Sequence, residues 1–201
     1  MTRHAPEHII YPVGHHAAGK TELCNYLTDT YGLKVVETGT MVRSLYASRD
    51  QRYTYHSLGQ YIRAVEDTDP GYFDRELAKL VDREDPSNGV VIINGMRNYT
   101  NIARAMDTYP TARHSVVWLE APTEQLHERY MIREGKQLSR EDFDMLLAFD
   151  MELGLAPIKE QADFHIENDS TLESLHEQTD AIMRALGLTA IAAARLELGE
   201  Q

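Results

Sequence analysis

The fold is decided by the stretch Gly14-His15-His16-Ala17-Ala18-Gly19-Lys20-Thr21. It matches the pattern GxxxxGK[ST], in which a glycine loop binds phosphate. Residues 8–13, before it, are apolar and β-prone, which predicts a buried strand. Leu23 and Leu27, after it, lie one helical turn apart, which predicts a helix. Strand, loop and helix together are the context in which this pattern binds phosphate.

The two glycines and the last two residues of the motif carry its chemistry. Gly14 and Gly19 can adopt backbone conformations that a Cβ disfavours, so the loop curls with its N–H groups inward. The following helix adds the positive end of its dipole. Lys20 is expected beside the β- and γ-phosphates of ATP, and the Thr21 hydroxyl is expected to bind Mg²⁺.

Between these glycines the pattern leaves four side chains unspecified: His15, His16, Ala17 and Ala18. We expect each of these residues to contribute its backbone N–H to the phosphates. A pair of adjacent histidines can also bind a metal ion, but no further ligand lies nearby at metal-binding spacing. The backbone role is therefore the favoured interpretation.

Length and composition set the broad class. Residues 1–201 are the size of one domain with a full sheet core. The net charge of −12 argues against strong non-specific binding to nucleic acid or to an anionic membrane. The single cysteine, Cys24, is expected to pack in the first helix. A signal peptide and an apolar run of membrane-spanning length are both lacking, so a cytoplasmic protein is expected.

Four more apolar segments alternate with helical patterns and predict the rest of the sheet. They are residues 32–36, 90–93, 115–119 and 162–167. Strands that alternate with helices form a parallel sheet covered on both faces. The predicted fold is therefore a three-layer α/β/α sandwich with a five-stranded parallel sheet.

Polar residues follow the second and third predicted strands, where ligands bind in open parallel sheets. Thr38 or Thr40 is expected to cap a helix, and Arg43 on its first turns is placed to bind an anion. Asn94 and Arg97 follow the central strand, so Arg97 is a candidate for the same ligand. Asn94 stands where an aspartate commonly assists Mg²⁺.

A helical insertion of about residues 40–88 is too long for a simple connection and is expected to cover the acceptor site. It is rich in aromatic and basic residues: Tyr46, Arg49, Arg52, Tyr53, Tyr55, His56, Tyr61 and Arg63. Such side chains can stack on and pair with a nucleotide or base. For any single tyrosine, packing between helices is the favoured interpretation.

A short lid is predicted over about residues 129–145. Arg129 and Arg133 are four apart and share a helix face beside a glycine turn. Arginines supplied by a closing lid stabilise charge on a transferring phosphoryl group and exclude water. The alternative is an ordinary ion-paired helix face, with Glu128 and Glu134 as partners.

The remaining helix signals lie in the second half of the chain. Pro122 is expected at the first position of one helix, and Ser139 is expected to cap the next. Residues 172–186 predict an amphipathic helix, and residues 188–198 predict an alanine-rich one. The last segment is expected to pack on its own domain or to form a dimer contact, so the protein is a monomer or a homodimer.

Three stretches of the second half carry a family resemblance: residues 129–134 (RYMIRE), residues 138–142 (LSRED) and residues 161–171 (QADFHIENDST). With the phosphate-binding loop and their order along the chain, they resemble the nucleoside monophosphate kinase branch of P-loop proteins. The likeness is closest to dephospho-CoA kinase and to archaeal dephospho-CoA-kinase-like proteins. It covers roughly residues 8–185.

The resemblance implies site residues and also shows two departures. The turn that contains Asn168 is expected beside the donor adenine. Residues 38–43 are similar to the acceptor-binding "TGDxxR", with Thr40 in place of aspartate, and residues 94–97 are similar to "DGxxR", with Asn94 in place of aspartate. By its position, Glu37 could then be the acidic group that activates an acceptor hydroxyl.

Three functional hypotheses follow. The first is a small-molecule kinase that uses ATP and Mg²⁺, with a nucleotide or dephospho-CoA-like acceptor over Arg43, Arg63 and Arg97 and with Arg129 and Arg133 on the γ-phosphate. The second is a kinase that phosphorylates a hydroxymethylated base in DNA, against which the acidic net charge argues. The third is a regulatory protein that binds ATP without catalysis.

Overall fold

The computed structural model describes residues 5–47, 55–84, 89–135 and 137–190, without the side chains of residues 55–57 and 153. Its strands are His8–Gly14 (β1), Lys34–Glu37 (β2), Val90–Asn94 (β3), Arg113–Glu120 (β4) and Phe164–Glu167 (β5). They form one sheet in the order β2-β3-β1-β4-β5, and every pairing is parallel. The motif strand is therefore central, with two strands on each side.

Helices connect these strands. They are Lys20–Tyr31 (α1), Thr38–Ala47 (α2), Tyr55–Thr68 (α3), Tyr72–Glu84 (α4), Tyr99–Thr108 (α5), Thr123–Glu134 (α6), Arg140–Asp150 (α7), Ala156–Glu160 (α8) and Leu172–Leu186 (α9), with a π-helical turn, Met151–Leu155, between α7 and α8. Across the described ranges, all of these helices are too short or too polar to cross a membrane.

Apolar side chains cover both faces of the sheet. On one face Leu23 of α1 and Leu175 of α9 pack with Ile10 of β1. On the other face the neighbouring Ile9 packs with helices that include Ile102 of α5. Strands β1 and β3 are buried along their whole length, because both of their faces are covered. The predicted three-layer α/β/α fold with a five-stranded parallel sheet is confirmed.

Several helix and strand ends differ from the predictions. Pro122 precedes α6 as its N-cap instead of occupying the first helical position. Thr38 begins α2, and its hydroxyl donates to the Asn94 carbonyl oxygen at 3.0 Å instead of capping the helix. Ser139 caps α7 as predicted, with its hydroxyl oxygen accepting from the Asp142 N–H.

The predicted final helix at residues 188–198 is not supported where the structure describes it. Residues 188–190 are not helical, and the remainder of the segment lies outside the described residues. Leu172 begins the amphipathic helix α9 as predicted, but its side chain is exposed instead of packing with the apolar face.

Candidate functional site

The loop between β1 and α1 curls as the motif predicts. Gly14 has φ 154° and Gly19 has φ 101°, and a Cβ at Gly14 would overlap the Leu119 carbonyl oxygen of β4. Ala17 has φ 62°, a left-handed conformation that is uncommon for a residue with a side chain. The backbone conformation thus requires glycine at both ends of the loop, and at Gly14 the close approach of β4 requires it as well.

The Lys20 ammonium group lies inside this curl. Its Nζ donates to the carbonyl oxygens of Gly14, at 2.8 Å, and of His15, at 2.6 Å. Burial lowers the Lys20 pKa to about 7, with a further contribution from the nearby positive charges of Arg97 and Arg133. Three cationic side chains therefore gather at the loop, which favours the binding of a polyanion there.

Asn168 links the phosphate-binding loop to the turn after β5, the strand at one edge of the sheet. Its Nδ2 donates to the Ala18 carbonyl oxygen at 2.9 Å, and a Cβ at Gly19 would overlap that nitrogen. Arg129 donates to the Asn168 carbonyl oxygen at 3.0 Å and to the Gln125 side chain at 2.9 Å. The turn after β5, helix α6 and the phosphate-binding loop are thus tied together around Asn168.

The two lid arginines lie in different surroundings although they share a helix. Arg129 is held at the turn after β5, whereas Arg133 lies 5.4 Å from the centre of the Tyr130 ring and donates to Glu134 at 2.9 Å. The charge of Arg133 also contributes to the lowered pKa of both Lys20 and His16. Arg133 therefore packs on Tyr130, whose ring contacts His16 of the loop, whereas Arg129 is held against Asn168.

Both motif histidines make side-chain contacts in addition to their expected backbone role. The His16 Nδ1 lies 3.2 Å from Arg97 Nη2, and its ring packs edge-on against Tyr130. Burial, followed by the positive charge of Arg97, lowers the His16 pKa to about 3, so this imidazole is neutral. The His15 ring packs edge-on against Trp118, and burial lowers its pKa as well.

Asp150, at the end of α7, is a site residue that the sequence analysis missed. Its side chain is 3% exposed, and its Oδ1 accepts from Arg97 Nη1 at 2.7 Å. Its Oδ2 lies 3.6 Å from His16 Nε2 and has no hydrogen-bond partner among the described residues. The helical spacing offers one indication that Asp150 is buried. It lies seven positions after Phe143, an apolar residue that is buried, and so shares its helix face.

A second polar group lies at the ends of β2 and β3. Glu37 and Asn94 are paired in the sheet register, and Asn94 Nδ2 donates to Glu37 Oε1 at 2.8 Å. The Asn94 Oδ1 is buried without a hydrogen-bond partner within the described ranges. The amide that stands in place of the expected aspartate therefore holds the Glu37 carboxylate at the carboxyl edge of the sheet.

Of the three predicted acceptor arginines, Arg97 lies beside the loop, whereas the other two are exposed on α2 and α3. Arg43 is exposed and donates to the Thr40 hydroxyl at 3.0 Å, and Arg63 is exposed on α3. Tyr46 and Tyr61 are buried against each other, as the packing interpretation favoured. Arg49, Arg52 and Tyr53 lie outside the described residues, as do the side chains of Tyr55 and His56.

Metal-binding groups near the loop are few. Thr21 occupies the second position of α1, where its hydroxyl can reach a cation held by bound phosphates. No group of three or more histidine, cysteine or acidic side chains that could hold a metal ion exists in the part of the chain that the structure describes. A single hydroxyl ligand from Thr21 fits Mg²⁺, because this ion keeps several waters and binds largely through substrate phosphates.

A glycine loop with a half-buried lysine, between the central parallel strand and the first helix, defines a P-loop protein. The chain belongs to the AAA domain family, because residues 13–145 match the family model for an AAA domain, AAA_17. No curated protein sequence matches the chain significantly.

Solved structures share this fold at low sequence identity. TT1252 from Thermus thermophilus superposes with a TM-score of 0.64 at 20% identity, over 91% of this chain and 99% of that chain. A shikimate kinase from Bacteroides thetaiotaomicron gives a TM-score of 0.59 at 18% identity, over 90% and 99% of the two chains. A gluconokinase from Sinorhizobium meliloti 1021 gives 0.56 at 15% identity, over 98% and 100%.

Proposed function

We propose that this protein is an ATP-dependent phosphotransferase whose acceptor is a nucleotide or a dephospho-CoA-like small molecule. The observation that carries the proposal is the gathering of Lys20, Arg97 and Arg133 at a curled glycine loop. Two proteins of the same fold carry the names shikimate kinase and gluconokinase, which supports a kinase over other uses of the loop.

The donor side of the reaction uses the loop and its cations. The backbone N–H groups and Lys20 would hold the β- and γ-phosphates, and the Thr21 hydroxyl would contribute to the Mg²⁺ site. Mg²⁺, when bound, neutralises charge on the phosphate oxygens. The three cations act by orienting the phosphoryl group and stabilising its charge as it transfers.

The acceptor side centres on Glu37. Its carboxylate is fixed by the Asn94 amide at the carboxyl edge of the sheet, beside the start of α2. From there it would accept the proton of an acceptor hydroxyl as that oxygen attacks the γ-phosphorus. The exposed Arg43 and Arg63 extend from α2 and α3, where they can pair with an anionic group of the acceptor.

The proposal is tested by a metal-dependent ADP-release screen. The acceptors are nucleotides, dephospho-CoA and hydroxymethylated DNA, and Lys20→Ala should abolish turnover of whichever is used. Lys79→Ala is the matched control, because Lys79 lies on α4 and pairs only with the neighbouring Glu76 in the contacts described. Unchanged turnover in Lys20→Ala would refute the phosphate role of the loop.

The same screen separates the alternatives. Turnover of hydroxymethylated DNA alone, with binding that collapses between low and moderate salt, would support a DNA acceptor. The burial of Tyr46 and Tyr61 argues against that result, since neither ring is available to stack on a base. ATP binding without ADP release from any acceptor would support a regulatory protein.

A further inference from the structure

Arg97, His16 and Asp150 form a ring of three side chains. Arg97 bridges the other two by hydrogen bonds, with Nη1 on Asp150 Oδ1 at 2.7 Å and Nη2 on His16 Nδ1 at 3.2 Å. The third side of the ring is not a hydrogen bond, because His16 Nε2 lies 3.6 Å from Asp150 Oδ2. Its members come from the loop after β1, the loop after β3 and the end of α7, so three separate segments meet there.

Proton positions in this ring follow from its chemistry. A guanidinium has only donors, so His16 Nδ1 must accept, and the neutral imidazole must carry its proton on Nε2. The protonated Nε2 lies 3.6 Å from Asp150 Oδ2, which is too far for a hydrogen bond but close enough for attraction between the polar N–H and an ionised carboxylate. Both hydrogen bonds of the ring are therefore donated by Arg97.

A kink in the chain follows Asp150. The segment Met151–Leu155 comes directly after it and loses helical geometry at Gly154. Within it Gly154 has φ 120°, and a Cβ there would lie 3.1 Å from Asn98 Cγ and 3.2 Å from Asn98 Cα. Because Asn98 follows Arg97 in the chain, this close approach fixes α7 against the loop that carries Arg97.

We propose that Asp150 is a positioning residue for phosphoryl transfer: its carboxylate holds the Arg97 guanidinium beside the phosphate-binding loop, and Arg97 in turn orients His16. This inference rests on the proposed kinase function. Arg97 uses two of its five N–H donors in the ring, and 36% of its side chain is exposed. Its remaining donors can meet a phosphoryl oxygen without a further loss of side-chain freedom.

Asp150 also limits how Arg97 can move when the substrate binds. A buried carboxylate is costly without a charged partner, so the pair resists separation. Arg97 is thus held in one orientation before and during transfer, and the carboxylate acts on the reaction only through it. When Arg97 is substituted, Asp150 should therefore have little remaining effect on the reaction.

A double-mutant cycle tests this dependence. With an acceptor that the wild type uses, Asp150→Asn and Arg97→Met should each lower kcat by about 10²-fold, the loss expected when an oriented group is misplaced by about 1 Å. In the Arg97→Met background, Asp150→Asn should change kcat by less than about twofold. Glu152→Gln, an exposed acid two residues further on, is the matched control and should leave kcat unchanged.

Nucleotide affinity and proton position give readouts besides turnover. The Kd of ADP, measured by calorimetry, should stay within about twofold of wild type in Asp150→Asn, since the loop amides and Lys20 still bind the phosphates. In the wild type, ¹⁵N spectra should show His16 protonated on Nε2 and not on Nδ1, a measurement that requires no variant to fold.

Two results would overturn the inference. One is a kcat loss from Asp150→Asn that is as large in the Arg97→Met background as in the wild type, because the carboxylate would then act independently of Arg97. The other is His16 protonated on Nδ1. If the wild type turns over no acceptor, the kinase proposal fails by itself, and the His16 spectrum still decides whether the ring exists.

Discussion

Lys20 provides the sharpest prediction, because nucleotide binding should change its protonation. With a pKa of about 7, it is about 9% protonated at pH 8 in the unliganded protein. Bound polyphosphate would offset the burial of Lys20 and the repulsion from Arg97 and Arg133, so the lysine becomes fully charged. Binding at pH 8 should therefore take up about 0.9 proton.

Other ionisable groups should change the predicted proton uptake very little at pH 8. The terminal phosphate of the nucleotide is already fully ionised at pH 8, since the pKa of its second ionisation is about 6. His16 starts with a pKa of about 3 and stays neutral. The affinity should weaken about fivefold from pH 7 to pH 8 and about ninefold from pH 8 to pH 9, because Lys20 must first be protonated.

Calorimetry in buffers of different ionisation enthalpy measures the uptake directly. The slope of observed binding enthalpy against buffer enthalpy should correspond to about 0.9 proton for wild type and for Lys79→Met, and to nearly none for Lys20→Met. A wild-type slope near zero at pH 8, with an affinity that stays flat between pH 7 and 9, would refute the argument that Lys20 is held close to neutral.

Further substitutions give three independent checks. Gly19→Ala should destabilise the protein by about 1–2 kcal/mol in urea unfolding and abolish nucleotide binding, because φ 101° and the Asn168 amide both exclude a Cβ; full affinity would contradict this. Asn168→Ala should cost about 1–3 kcal/mol in the same assay by leaving the Ala18 carbonyl oxygen without its partner, and an unchanged midpoint would mean that water replaces the amide. Glu37→Gln should lower kcat by at least about 10²-fold with the Kd of ADP unchanged, whereas an equal loss of affinity would assign Glu37 to nucleotide binding instead.

The parts of the fold that could be predicted are those with local signals. The glycine loop, the β-branched run of β3 and the capped start of α7 each carry their pattern within a few residues. The parallel sheet with both faces covered followed from the alternation of strands and helices. The precise ends of the helices did not follow. The Thr38 hydroxyl, for example, donates to the Asn94 carbonyl oxygen of a segment far along the chain instead of capping α2.

The candidate site could be predicted only where one motif contains it. Lys20 and Thr21 lie in the loop, but Asp150, the partner of Arg97, lies 53 residues from it at the end of α7, and no local sequence pattern shows that these two segments meet. In the insertion, helix packing was the favoured interpretation for any single tyrosine, and Tyr46 and Tyr61 are buried against each other.

The bond from Asn168 to the Ala18 carbonyl oxygen has a consequence for folding. The two residues are separated by 150 positions, so the loop gains this support only after the last strand of the sheet has joined. During synthesis the nucleotide site would mature late, and a fragment that ends before β5 would lack the partner that braces Gly19. The phosphate-binding loop, although it lies near the start of the sequence, is therefore braced only after β5 has joined the sheet.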